Sequence, residues 1–223
     1  MRIAALAGLM LAVASAGAAG EAGLRVQEMY VRSSAKASPA GARQRFDFLV
    51  FYANGTAYRG DASLLTNEGV RKDQLGTYKA VGDDLRIKWP ANKTEVMRRR
   101  GERLSGAAGT RWQRLPKVNG LQLQGTYLIA AATVEPVWID FGSDGTFWDH
   151  GVIRHAANRQ VLERGVPAPQ GGGGTYLLED YTLTLSYAGG PAARIFFCIL
   201  PGEKNLARPK QLVVNTYLFE LKQ

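Results

Sequence analysis

Two histidines, His150 and His155, and the aspartate before the first, Asp149, form the one place in the chain where a metal or a general base could be argued. The histidines stand five positions apart in a segment that reads as a loop, and one nearby aspartate does not complete the convergent ligand set a tight metal site needs. Asp140, Asp144 and Asp149 lack the glycine and terminal glutamate placement of a calcium loop. Asp144 reads instead as a turn former. Asp140, Glu135 or Glu179 could supply paired carboxylates only if a cleft brought two of them together, and nothing in their spacing demands it. No serine stands in a Gly-x-Ser-x-Gly elbow. The expectation is a chain with no catalytic residues, no metal and no cofactor, hence not an enzyme.

The concentrated basic feature is Arg98-Arg99-Arg100-Gly101-Glu102-Arg103, placed at a hairpin turn. Arg98, Arg99, Arg100 and Arg103 could grip phosphates there, against the plain reading of a solvated turn. Aromatic residues do not interleave with the run, so a nucleic-acid platform is not expected. Cys198 is the single cysteine and lies in the apolar stretch Ile195-Phe196-Phe197-Cys198-Ile199-Leu200. It reads as a buried structural thiol, and a chain with one cysteine has no internal disulfide to rely on.

The formal charge of +9 is unevenly distributed. Residues 21–119 hold 19 Lys and Arg against 10 Asp and Glu, and residues 120–223 hold 8 against 9, so the halves carry +9 and −1. A basic domain concentrates anionic partners, which makes an anionic envelope surface a possible contact for the first half.

An internal repeat organises these residues. Leu24 to Val31 matches Leu121 to Leu128 at an offset of 97, and Gly76-Thr77-Tyr78 through Trp89 matches Gly174-Thr175-Tyr176 through Tyr187 at an offset of 98. Between them Asn54-Gly55-Thr56 matches Asp144-Gly145-Thr146 at an offset of 90. The matched segments keep their lengths while the loops vary. Strict alternation in Tyr181 to Tyr187 marks a half-buried strand, and its counterpart places Leu85, Ile87 and Trp89 inward with Arg86 and Lys88 outward. The inner faces read as identical and the outer faces as different. Asn54-Gly55 and Asp144-Gly145 are hairpin signals. Ala62 to Lys72 and Val152 to Arg164 could hold short helices, and Gly171 to Gly174 reads as a flexible connector. Pro116 to Gly120 is the boundary, giving unit 1 over 19–116 and unit 2 over 117–223.

Leu123-Gln124-Gly125-Thr126-Tyr127, followed by the hairpin Phe141-Gly-Ser-Asp144-Gly145-Thr146-Phe147, resembles the lipocalin-like repeats of exported bacterial proteins. The resemblance covers residues 121–221 well and 24–115 less fully, because Glu28-Met29 replaces the opening glycine and threonine. It implies an all-β protein of two tandem small antiparallel barrels or closed sandwiches, with about eight short strands each. Inward Tyr78, Trp89, Tyr176 and Tyr187 imply that side chains fill the barrels, so that a pocket belongs at a mouth or in the groove between units.

Residues 1–18 carry one cation, Arg2, then an apolar run from Ile3 to Val13 and A-x-A cleavage options ending at Ala16 or Ala18. This pattern reads as a secretory signal. The apolar run has 11 residues, against roughly 20 for a spanning helix, so no transmembrane segment is expected. The sequence thus points to a periplasmic or secreted, non-enzymatic binding protein, its partner an unknown small ligand or envelope component. The alternative is a structural or interaction module that contacts an anionic surface through the basic first unit.

Overall fold

A computed structural model of the chain describes residues 24–36, 43–65, 70–130, 136–156 and 171–223. The signal-like segment and Glu135 lie outside the described residues. Alternating apolar positions build two closed antiparallel barrels of eight strands, each an up-and-down meander in which neighbours in sequence are neighbours in the sheet. The first comprises β1 (Val26–Lys36), β2 (Arg43–Tyr52), β3 (Thr56–Gly60), β4 (Gly76–Val81), β5 (Asp84–Lys88), β6 (Thr94–Arg100), β7 (Arg103–Ser105) and β8 (Arg111–Arg114). The second comprises β9 (Gly125–Ile129), β10 (Trp138–Phe141), β11 (Thr146–His150), β12 (Gly172–Glu179), β13 (Thr182–Tyr187), β14 (Ala192–Ile199), β15 (Gln211–Val214) and β16 (Tyr217–Leu221). Closure of β8 onto β1 and of β16 onto β9 leaves neither sheet an open edge.

The turns follow their residues. Gly55 and Gly145 take positive φ at the β2–β3 and β10–β11 tips, where a side chain would be strained. The segments read as helices are shorter than expected. Ala62–Leu64 and Lys72–Gln74 are single 3₁₀ turns, and α1 covers Val152–Ala156. The remainder of the second expected helix lies outside the described residues. Gly172 to Gly174 are not a flexible connector but the first residues of β12. A Cβ on Gly174 would lie 2.0 Å from the Ser186 carbonyl oxygen, so glycine there lets β12 approach β13 closely rather than loosening it.

Side chains fill both lumens. Tyr30, Leu49, Ile87, Met97, Leu104 and Trp112 meet inside barrel 1, and Tyr127, Ile139, Leu183, Leu185 and Phe219 are buried inside barrel 2. The inner faces are not identical, however. Barrel 1 adds ion pairs at both ends of its lumen. At one end Arg59 meets Glu95 at 2.6 Å, and the Arg32 and Arg59 guanidinium groups sit over the Trp112 ring at 4.9 and 5.4 Å. At the other, Glu28 accepts from Arg99 at 2.7 Å and from the Tyr30 hydroxyl at 3.0 Å, with Arg114 at 3.4 Å. The matching position in barrel 2 is Gly125, where a Cβ would strike Leu221. The departure Glu28-Met29 in the repeat is therefore where barrel 1 gained a charged inner end.

Strands β2 and β14 are apolar on both faces, and together with β1 they join the barrels. Met29, Val31, Phe46, Phe48 and Val50 point out of barrel 1, and Phe196 and Cys198 point out of barrel 2 on β14; all belong to one buried cluster. Phe48 and Phe196 meet edge to face with ring centroids 4.8 Å apart. A continuous apolar run such as Ile195 to Ile199 is what a strand buried on both faces requires. The linker is packed as well. Leu115 and Val118 are buried, the Leu115 amide donates to the Met29 carbonyl at 2.8 Å, and the Tyr181 hydroxyl donates to the Leu115 carbonyl at 3.3 Å.

Candidate functional site

The outer face of β9, β10 and β11 carries the chain's exposed aromatic surface. Phe147 and Asp149 point into barrel 2, so Trp148 and His150 between and beside them point out. Trp148 is 54% exposed. Its ring lies across the backbone of Gly173, where a Cβ would come within 2.6 Å of a ring carbon. The glycine run thus gives Trp148 a flat seat and leaves its other face free. Asp140, Thr146, Trp148, Gly173 and Pro191 line a cleft of about 1010 Å³ here, walled mostly by carbon, which reaches the inward residues Phe141, Phe147 and Tyr187.

A polar frame borders the aromatic floor. The Thr126 hydroxyl donates to Asp140 Oδ1 at 2.5 Å, and Asp140 Oδ2 lies 3.1 Å from His150 Nε2. His150 stacks on Trp138 with centroids 4.0 Å apart and planes 20° apart. The carboxylate stands between hydroxyl and imidazole, and this order fixes the ring of His150.

Behind the face, Asp149 is buried and caps α1. It accepts from the Val152 amide at 2.6 Å and from the Tyr187 hydroxyl at 2.6 Å. Burial raises its carboxyl above the ordinary range against the pull of those hydrogen bonds. Burial and the neighbouring Asp149 push the Tyr187 hydroxyl well up. Both groups serve as fixed supports for β11.

The residues singled out in the sequence scatter. His150 ends β11 and His155 sits on α1 beside Tyr217; they are in a strand and a helix, not one loop. Asp149 faces in, Asp140 faces out, and Asp144 holds its own turn through Thr146. Those Thr146 hydrogen bonds lower the Asp144 pKa. Among the described residues no cluster of ligand types converges for a metal. The arginine run is strand rather than turn for its first three members. Arg98 pairs with Asp84 at 3.2 Å, Arg99 turns inward to Glu28, and Arg100 faces Arg103 across the β6–β7 hairpin. Arg103 also lines a groove of about 410 Å³ between the barrels, with Arg32, Arg111 and Trp112 facing Leu200 and Glu203.

Sequence reasoning missed Trp148 as a site residue. The available signal was its place in the repeat, where it matches Tyr58. No protein-family profile, curated protein or solved structure matches the chain.

Proposed function

We propose that this chain is an exported, non-enzymatic binding protein of two lipocalin-like units, acting in the periplasm or after secretion, which holds its ligand on the outside of barrel 2. The observation that carries this reading is the free face of Trp148 at the head of a large, carbon-walled cleft, while both lumens are occupied by side chains. Ligand sites are concave, mostly apolar and edged by a few oriented polar groups. The Trp148 cleft has that composition, with Asp140 and Thr146 in its lining and His150 holding Asp140 from behind. The ligand class it fits is a saccharide ring, whose C–H face stacks on indole while its hydroxyls bond Asp140 and Thr146.

The test is a titration of the purified mature protein with a panel of mono- and oligosaccharides, read by tryptophan fluorescence, beside mass spectrometry of co-purified small molecules. Trp148→Ala should abolish binding while leaving the far-UV circular dichroism unchanged. Binding that survives Trp148→Ala, or a co-purified ligand that protects residues of the barrel lumens instead, would overturn the reading.

A further inference from the structure

The strand register gathers the cations of the first unit onto one outer face, which the ligand cleft of barrel 2 does not use. Lys79 pairs with Arg86 across β4–β5, Arg86 with Val96 across β5–β6, and Arg98 with Ser105 and Arg100 with Arg103 across β6–β7; Ser105 then pairs with Arg111. Outward positions of β4 to β7 therefore present Lys79, Arg86, Lys88, Arg98, Arg100 and Arg103, all exposed, against one outward carboxylate, Asp84; Arg103 marks the edge where the groove toward barrel 2 begins, and Arg111 beyond it lies in that groove. Asp84 is already engaged by Arg98. Asp83 and Glu102 stand at the neighbouring turns, and Glu102 is drawn to Arg114 at 3.6 Å.

The same face shows Val81 at 53% and Val96 at 48% exposure, two of the four large apolar side chains most exposed among the described residues. Its repeat partner in barrel 2 has the opposite character. The pairs Asp84 with Arg98 and Thr182 with Phe196 set Arg98 opposite the docking residue Phe196 in the repeat, and Arg100 opposite Cys198. Where barrel 2 has the apolar ridge that seats it on barrel 1, barrel 1 has guanidinium groups in water.

From this we infer that the outer face of β4 to β7 docks on a bilayer surface carrying anionic phosphate headgroups. Distributed cations meet the headgroup charge, each adding to the attraction near the surface, and Val81 and Val96 reach the apolar boundary beneath it. A soluble polyanion would use the charges but leave the two valines in water, so the bilayer is the partner that satisfies both. Docked this way, the molecule keeps barrel 2 and its cleft on other surfaces of the chain.

The experiment is co-sedimentation of the mature full chain with phosphatidylcholine vesicles, with and without phosphatidylglycerol. Binding is expected only to the anionic vesicles and should fall steeply with added salt. Replacing Arg86, Lys88, Arg100 and Arg103 together by glutamine should weaken the partition by roughly a hundredfold or more. Replacing Arg194, Lys204, Arg208 and Lys210 of the second unit should leave it within about twofold, since those charges lie off the face. Val81→Ser with Val96→Ser should weaken binding with no change in salt slope. The inference is overturned if the wild-type chain ignores anionic vesicles at low salt, if both charge variants lose binding equally, or if heparin is bound while vesicles are not. Unchanged thermal unfolding of the variants separates loss of the surface from loss of the fold.

Discussion

Tyr58 and Trp148 hold equivalent places in the two barrels, each two residues after the threonine pair partner of its hairpin, yet Tyr58 is 3% exposed and Trp148 is 54% exposed. Tyr58 is held in the cluster that also contains Phe48, Phe196 and Ala62. Burial pushes its hydroxyl up to about 12. The same outer surface is thus covered in unit 1 and bare in unit 2, and the residues around it have changed to match. By the repeat offsets, Met29 and Val50 beside Tyr58 correspond to Thr126 and Asp140 beside Trp148. The face is apolar where it is covered by the other barrel and polar where it meets solvent.

Phe196→Arg copies the residue of barrel 1 into the contact between barrels. A guanidinium would then be buried against Phe48 with no carboxylate partner, a change of the kind that costs about 3 kcal/mol or more. Thermal unfolding should show either a large drop in midpoint or separate transitions for the two barrels. An unchanged single transition would mean the barrels do not depend on this contact.

Glu28→Gln removes the charge that Arg99 and Arg114 share while keeping the side-chain volume. The carboxylate is 14% exposed and its partners 39% and 33%, so the loss should be moderated by water, about 1–3 kcal/mol. The Tyr30 hydroxyl, pushed up to about 12 chiefly by burial and then by Glu28, should titrate lower in the variant. Urea denaturation and spectrophotometric tyrosine titration measure the two effects.

The stability of the fold should carry a pH signature from Asp149. Its folded-state pKa lies above the unfolded value because of burial. Between the two values the folded chain keeps a proton that the unfolded chain has released, so stability falls as pH rises through that window and is constant below it. Asp149→Asn retains an acceptor for the α1 amides and removes the titration. Unfolding midpoints measured against pH should slope downward in the wild type over that window and be flat there in the variant; equal slopes would assign the effect to other groups.

Cys198 is fully buried, and burial pushes its thiol far above the ordinary range. Thiol reagents should leave the native protein unmodified and label it only as it unfolds. Labelling under native conditions at the rate of a free thiol would show that the β14 contact opens.

Much of the architecture was legible from residue order alone. Alternation in Tyr181 to Tyr187 and the Asn54-Gly55 and Asp144-Gly145 tips suffice for the strands and hairpins, and the three repeat blocks for two units of like topology. Closure was expected from the lipocalin-like resemblance, and inward filling from the inward Tyr78, Trp89, Tyr176 and Tyr187. The site was less legible for a physical reason. Whether an outward residue is wet or covered depends on what packs against it, and Tyr58 and Trp148 look alike until the partner barrel is in place. Arg99 misled in the same way, because membership in a run of arginines says nothing about the parity that turns it toward Glu28. The glycines from Gly171 to Gly174 read as slack, since composition does not distinguish freedom from close approach.

The contact between the barrels joins unlike surfaces, the flank of one unit to the β14 ridge of the other, and such a head-to-tail union has no built-in stop. Identical units joined this way would go on adding copies into an open filament. The two units differ at the surfaces such a further copy would need: Arg98 and Arg100 stand where the second unit has the ridge residues Phe196 and Cys198, and Thr126 and Asp140 stand where the first has Met29 and Val50. The residues that would hinder a further copy at either surface are thus the same ones that border the proposed ligand cleft and lie on the proposed bilayer face.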